Sequence, residues 1–104
     1  MSFWDFFRPN PRRKLTGLLK VGSLPKDEIN ILNAWVTNRD VSMSKPNKKE
    51  LIEKAIRILP KIVDRNARFL GEGAFNPEVI KKAELTIEFA QDLLKIAKKD
   101  LKRI

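Results

Sequence analysis

Glu84, Glu88 and Asp92 stand at successive four-residue intervals, so on a helix their carboxylates line one face. Such a row offers hard oxygen ligands of the kind Mg²⁺ or Ca²⁺ takes. The di-iron alternative needs Glu-x-x-His pairs, and the chain has no His. The plainer reading is a solvated face, with Lys81 and Lys95 softening the like-charge repulsion. No metal and no cofactor is therefore expected. The rest of the catalytic cast is missing as well: without His, Cys or Tyr there is no imidazole base, thiolate or phenol. No glycine-rich phosphate loop or nucleophile elbow is present, and the chain is not expected to be an enzyme.

The second grouping is cationic. Lys54, Arg57, Lys61, Arg65 and Arg68 step by three and four residues, the spacing of one helix face, and make a basic stripe. Surface cations opposite an apolar seam also serve solubility alone, and Glu50, Glu53 and Asp64 dilute the row. The whole chain of 104 residues nevertheless carries 22 Lys plus Arg against 13 Asp plus Glu, a formal charge of +9. A surplus of this sign attracts nucleic acid, an anionic membrane surface or an acidic protein. With no aromatic residue interleaved for base stacking and few side chains suited to reading base edges, the stripe would contact phosphates.

These groups need helices to position them, and the sequence predicts an all-α fold of about four. Asn10 caps a short first helix with Pro11 at its first position, and Leu15, Leu18 and Leu19 mark its buried face up to Gly22. Gly17 weakens that helix. Arg12, Arg13 and Lys14 in its first turn oppose the helix dipole; a surface helix tolerates this, and the alternative, an anion met there, adds them to the candidate nucleic-acid contacts. A second helix spans 25–38, with Ser23 as a possible cap, Asp27 and Glu28 near its positive end, and Ile29, Leu32, Trp35 and Val36 inward.

Residues 39–46 read as a loop in which Pro46 keeps Lys45 out of helical geometry. Asn47 then caps a third helix, with Glu50 completing a capping box. Its seam is Ile52, Ile56, Leu59, Val63, Asn66 and Leu70, and because that register survives Pro60 the segment is one kinked helix. Asn66 on the seam either meets a polar partner or, as is more common, sits at the frayed end of the seam. Gly71-Glu72-Gly73 ends the helix. Asn76 caps the fourth, Pro77 opens it, and Phe75 is placed to staple onto Ile80. Ile80, Ala83, Ile87, Ala90, Leu94, Ala97, Leu101 and Ile104 form its seam, the alanines admitting a close neighbour.

Residues 1–104 thus read as a single helical domain: an antiparallel bundle dominated by a long C-terminal hairpin over 47–104, with an aromatic N-terminal arm over 1–10. Leu85, Phe89 and Ile96 form a second apolar row on the fourth helix, roughly 140° from the first. The two short helices, at ~21 Å or less, do not span a hairpin of ~35 Å. Apolar surface is left over, and a homodimer is expected. The acidic row of one copy also matches the basic stripe of another.

Two functions fit. The leading one is a small basic non-enzymatic binding protein that contacts nucleic-acid phosphates through Lys54, Arg57, Lys61, Arg65 and Arg68, joined by Arg12, Arg13 and Lys14. The other is a peripheral membrane or protein-complex adaptor, in which Phe3, Trp4, Phe6 and Phe7 insert or dock beside the adjacent cations. The same rings would equally plug the core. No apolar run is long enough to span a bilayer and no secretion signal is recognised, so a cytoplasmic location is expected.

Overall fold

The computed structural model describes residues 10–39, 44–73 and 76–104. Among them are four helices and no strand: α1 (Pro11–Val21), α2 (Lys26–Asn38), α3 (Lys45–Gly71) and α4 (Pro77–Lys102). The all-α expectation therefore holds. The aromatic residues of the N-terminal arm and the proposed Phe75 staple lie outside the described residues.

Two of the helix starts follow the expected chemistry. The Asn10 Oδ1 accepts the backbone N–H groups of Arg12 and Arg13 at 3.0 and 3.3 Å, and Asn76 Oδ1 accepts that of Glu78 at 3.0 Å. In each case proline follows the cap, where its missing N–H costs nothing. The other two starts differ from expectation. Ser23 does not cap α2: Pro25 holds the cap position, with its carbonyl accepting from Ile29 N–H and no side-chain bond.

α3 begins two residues before Asn47, with Ser44 at the cap and Lys45 already helical. Pro46 does not exclude Lys45 from the helix, because the first turn has unpaired N–H groups in any case and a proline there loses none. The capping box is not formed. Glu50 instead lies 3.3 Å from Lys54, one turn along.

Beyond Pro60 the helix continues unbroken, and the proline itself is exposed. The carbonyl deprived of its donor belongs to Ile56, one turn back. Asn66 finds no partner on another helix; its amide donates to the Ile62 carbonyl of its own turn at 2.8 Å. α3 ends with Glu72 N–H on the Arg68 carbonyl, and Gly73 takes a φ of 88°, which only glycine adopts cheaply.

α3 packs on α4, α2 on α3, α1 on α4, and α1 meets α2. The cross-helix partners give the directions. Along α1, Lys14 meets Asp92, Gly17 faces Phe89 and Gly22 faces Thr86, so α1 and α4 run in opposite senses. Glu28 reaches Arg65 while the Arg39 carbonyl accepts from Lys48 Nζ, so α2 runs back along α3. The first turns of α3 share a cleft with the last turn of α4.

One cluster joins Leu15 and Leu18 of α1, Leu32, Trp35 and Val36 of α2, Ile52, Ala55, Leu59 and Ile62 of α3, and Ala90, Leu93 and Ala97 of α4. The buried face of α3 is rotated about 60° from the expected seam, toward Ala55, Ile58 and Ile62, by the 100° step per residue. Ile56 and Val63 are only half-buried. The cause is that α3 has two neighbours, and its inward arc must face both. On α4 the same happens: Thr86 and Leu93 are fully buried between the two apolar rows, one row facing α3 and the other α1. The Thr86 hydroxyl is satisfied by the Lys82 carbonyl at 2.7 Å.

Gly17 has a definite role. A Cβ built there would stand 2.7 Å from the Phe89 ring, so the ring occupies the space that a side chain would need. Alanine normally gains about 1 kcal/mol over glycine within a helix. At this position Gly17→Ala is expected instead to lower stability, by about 1–3 kcal/mol from overpacking. Urea denaturation of G17A, F89A and the double variant checks this, since in the F89A background the same alanine becomes neutral or stabilising.

Candidate functional site

The five stripe cations all lie on exposed positions of α3, but they are not equivalent. Lys54 Nζ lies 3.3 Å from Glu50. Arg65 makes a two-pronged contact with Glu28 of α2, Nη1 to Oε2 at 2.8 Å and Nη2 to Oε1 at 2.7 Å. Glu28 was expected to serve the positive end of α2. It is in fact buried, its side chain 11% exposed against 46% for Arg65. The hydrogen bonding that Arg65 donates to Glu28 is the main influence holding its guanidinium above its usual pKa; burial opposes it, and the nearby charges of Glu28 and Asp27 add to it. Arg65 therefore stays charged across the whole working pH range, and its stabilising contribution would fade only in strong alkali. Arg57, Lys61 and Arg68 remain as the exposed cations of the stripe with no ion-pair partner among the described residues.

The first-turn cations of α1 stand apart from this row. α1 packs on α4 and α2, so its residues sit on a helix that does not adjoin α3. The α1 amides that would greet an anion are occupied by the Asn10 side chain. Lys14 is turned along α4: its Nζ is 2.8 Å from Asp92 and 5.7 Å from the centroid of the Phe89 ring. Arg12 and Arg13 are exposed.

The acidic row is correspondingly broken up. Asp92 is taken by Lys14, while Glu84 and Glu88 are exposed, and no group of carboxylates able to hold a metal occurs among the described residues. Phe3, Trp4, Phe6 and Phe7, the contacts of the adaptor reading, lie outside the described residues.

A further grouping escaped the sequence reading altogether. Where α2 ends, α3 begins and α4 ends, Trp35, Arg39, Lys48, Leu51, Asp100 and Arg103 line a cleft of about 250 Å³. Asp100 is its hub. Its Oδ2 accepts Arg39 Nε at 2.7 Å and Trp35 Nε1 at 3.1 Å, and its Oδ1 accepts Arg39 Nη2 at 3.0 Å. Lys48 Nζ donates to the Arg39 carbonyl at 3.2 Å, closing the end of α2. In sequence, Asp100 looks like one more surface charge among lysines. The available clue was its four-residue distance from Ile96 and three from Ala97, which puts it on the flank of the buried arc.

Compared with protein-family models, with curated proteins and with solved structures, the chain matches none. What can be said of its site therefore rests on these residues.

The two ion-pair sites differ in burial, and this ranks them. Asp100 and Arg39 are 11% and 23% exposed on their side chains, whereas Arg65 is nearly half exposed and screened by water. Asp100→Ala should cost about 2–4 kcal/mol, leaving the Arg39 guanidinium and Trp35 indole without their acceptor. Glu28→Ala should cost less, about 1–2 kcal/mol, because water can solvate the released guanidinium. Urea titrations of the two variants measure the order directly.

Proposed function

We propose that this is a small non-enzymatic binding protein that engages nucleic acid through its backbone phosphates. Arg57, Lys61 and Arg68 of the stripe make the principal contacts, and Lys54 and Arg65 stand at its edges. The observation that carries the reading is that these three cations lie exposed along one face of α3 without ion-pair partners among the described residues, in a chain of formal charge +9. Solubility alone does not require an uncompensated row of this kind. The finer architecture belongs to the same reading: an antiparallel bundle dominated by the α3–α4 hairpin, with an aromatic arm, working in the cytoplasm.

Three phosphate contacts on duplex contribute about 2.7 to the slope of log affinity against log salt. In fluorescence anisotropy titrations with a labelled DNA duplex from ~50 to ~200 mM salt, replacing Arg57, Lys61 and Arg68 by Gln should flatten the slope by about that amount. Failure of the unaltered protein to bind even at ~50 mM salt would sink the reading, and vesicle binding through the aromatic arm would then be the next measurement.

We further propose a homodimer. Phe69 at the end of α3 and Val79 at the start of α4 are 42% and 39% exposed, large apolar side chains at the end of the molecule where the two helices join. Sedimentation equilibrium should give a dimer, and Phe69→Ser should shift it toward monomer. A monomer at high micromolar concentration of the unaltered chain refutes it.

A further inference from the structure

We infer a second phosphate-binding surface at the pole where α3 begins and α4 ends, built from Lys48 and Lys49 of the first and Lys98, Lys99, Lys102 and Arg103 of the second. The inference rests on the nucleic-acid reading above and assigns that partner a contact surface distinct from the stripe.

The starting observation is the fate of one carboxylate. From Leu93 to Ile104 the only acid is Asp100, set among Lys95, Lys98, Lys99, Lys102 and Arg103. A run of this kind ordinarily reads as cations diluted by an interspersed acid. Here the acid is withdrawn: Asp100 is 11% exposed and holds Arg39 and Trp35 on its inner side. Lys98, Lys99, Lys102 and Arg103 are all exposed. The outer face of the last turns of α4 is therefore cationic without local relief.

α3 brings Lys48 to the same pole. Its first turn contains no acid, and Lys48 lines the cleft together with Asp100 and Arg103. Two acids lie close by. Glu53 is 3.9 Å from Lys49, at the limit of an ion pair, and Glu50 is directed to Lys54.

Helix electrostatics separate the two halves of the surface. Lys99 and Lys102 in the last turn of α4 are favoured by the negative end of that helix, so fold stability alone accounts for them. Lys48, in the first turn of α3, faces the positive end of its helix, a cost offset in part by its hydrogen bond to the Arg39 carbonyl, and Lys49 one residue on stands at the limit of an ion pair with Glu53. A polyanion is attracted by the exposed cations of α4 and by the positive end of α3 alike. Phosphates along a nucleic-acid backbone supply charge at the right density, and lysines on two helix ends suit contact without base readout.

The test uses the full chain and a labelled DNA duplex in the same salt series. Replacing Lys98, Lys99 and Lys102 by Gln should flatten the slope by about 2.7, separately from and additively with the stripe variant. Replacing Lys48 and Lys49 by Gln should flatten it by about 1.8. Arg at positions 98, 99 and 102 keeps the charge and should leave the slope unchanged; a flattened slope in that variant would trace the effect to lost structure and overturn the proposal. Wild-type slopes in both Gln variants, with the stripe variant still altered, overturn the pole and leave the stripe standing. No binding by the unaltered protein overturns both.

Discussion

The position of α2 depends on two carboxylates drawn into the protein, one at each of its ends. At its first turn its own Glu28 grips Arg65 of α3; at its last, Trp35 and Arg39 grip Asp100 of α4. Apolar packing alone would let a thirteen-residue helix slide along a much longer neighbour, since one leucine fits a groove much like the next. Two charge-assisted contacts with fixed hydrogen-bond geometry remove that freedom, because a one-turn shift would strand both carboxylates. The second also connects helices that are not neighbours: α2 packs on α3, yet its last turn is tied by side chains to α4. All buried side-chain polar atoms among the described residues have partners, so the pinning leaves no unsatisfied group behind.

α1 and α4 are fitted by size as well as by charge. The alanines at 83, 90 and 97 and the glycine at 17 are the places where a larger side chain would force helices apart. Phe89 lies against Gly17, and Lys14 both covers the ring and reaches Asp92. A residue that lowers the helix propensity of α1 thus creates the contact that holds α1 on α4. Local preference and tertiary packing conflict at Gly17, and packing prevails because a whole aromatic ring is at stake against about 1 kcal/mol of helix propensity.

The features legible in the sequence are those whose partners lie within four residues. The caps at Asn10 and Asn76 and the continuation of α3 through Pro60 depend on the chain's own next turn, and each is as the residues imply. The start of α3 misled for an instructive reason: Asn47 and Glu50 have the right spacing for a capping box, but that spacing cannot tell whether the backbone is already helical two residues earlier. The seam of α3 was read as a single stripe and that of α4 as two separate rows, and each proved to be one broader arc shared between two neighbours, which is why Thr86 and Leu93 were missed. Glu28 was read as serving the helix dipole, Arg65 as part of the stripe, and Asp100 went unnoticed, because their partners lie 37 to 65 residues away, a distance to which periodicity is blind.

These internal pairs also reshape the field that the protein presents to other molecules. Each pair takes one charge of either sign out of the unpaired set and leaves the net charge as it was. In a chain that starts with 22 cations and 13 anions, every such removal raises the proportion of what remains unpaired that is positive. Glu28, Asp92 and Asp100 are removed in this way, and the last of them comes from the middle of the most lysine-rich run in the chain. The same carboxylates that place α2 and α1 therefore also sort the surface. An argument from composition alone spreads a charge of +9 evenly, whereas the fold concentrates it at the exposed side of α3 and the C-terminal end of α4. Concentrated cations matter more than the total, because attraction of a polyanion depends on the local potential within about 8–10 Å at ordinary salt.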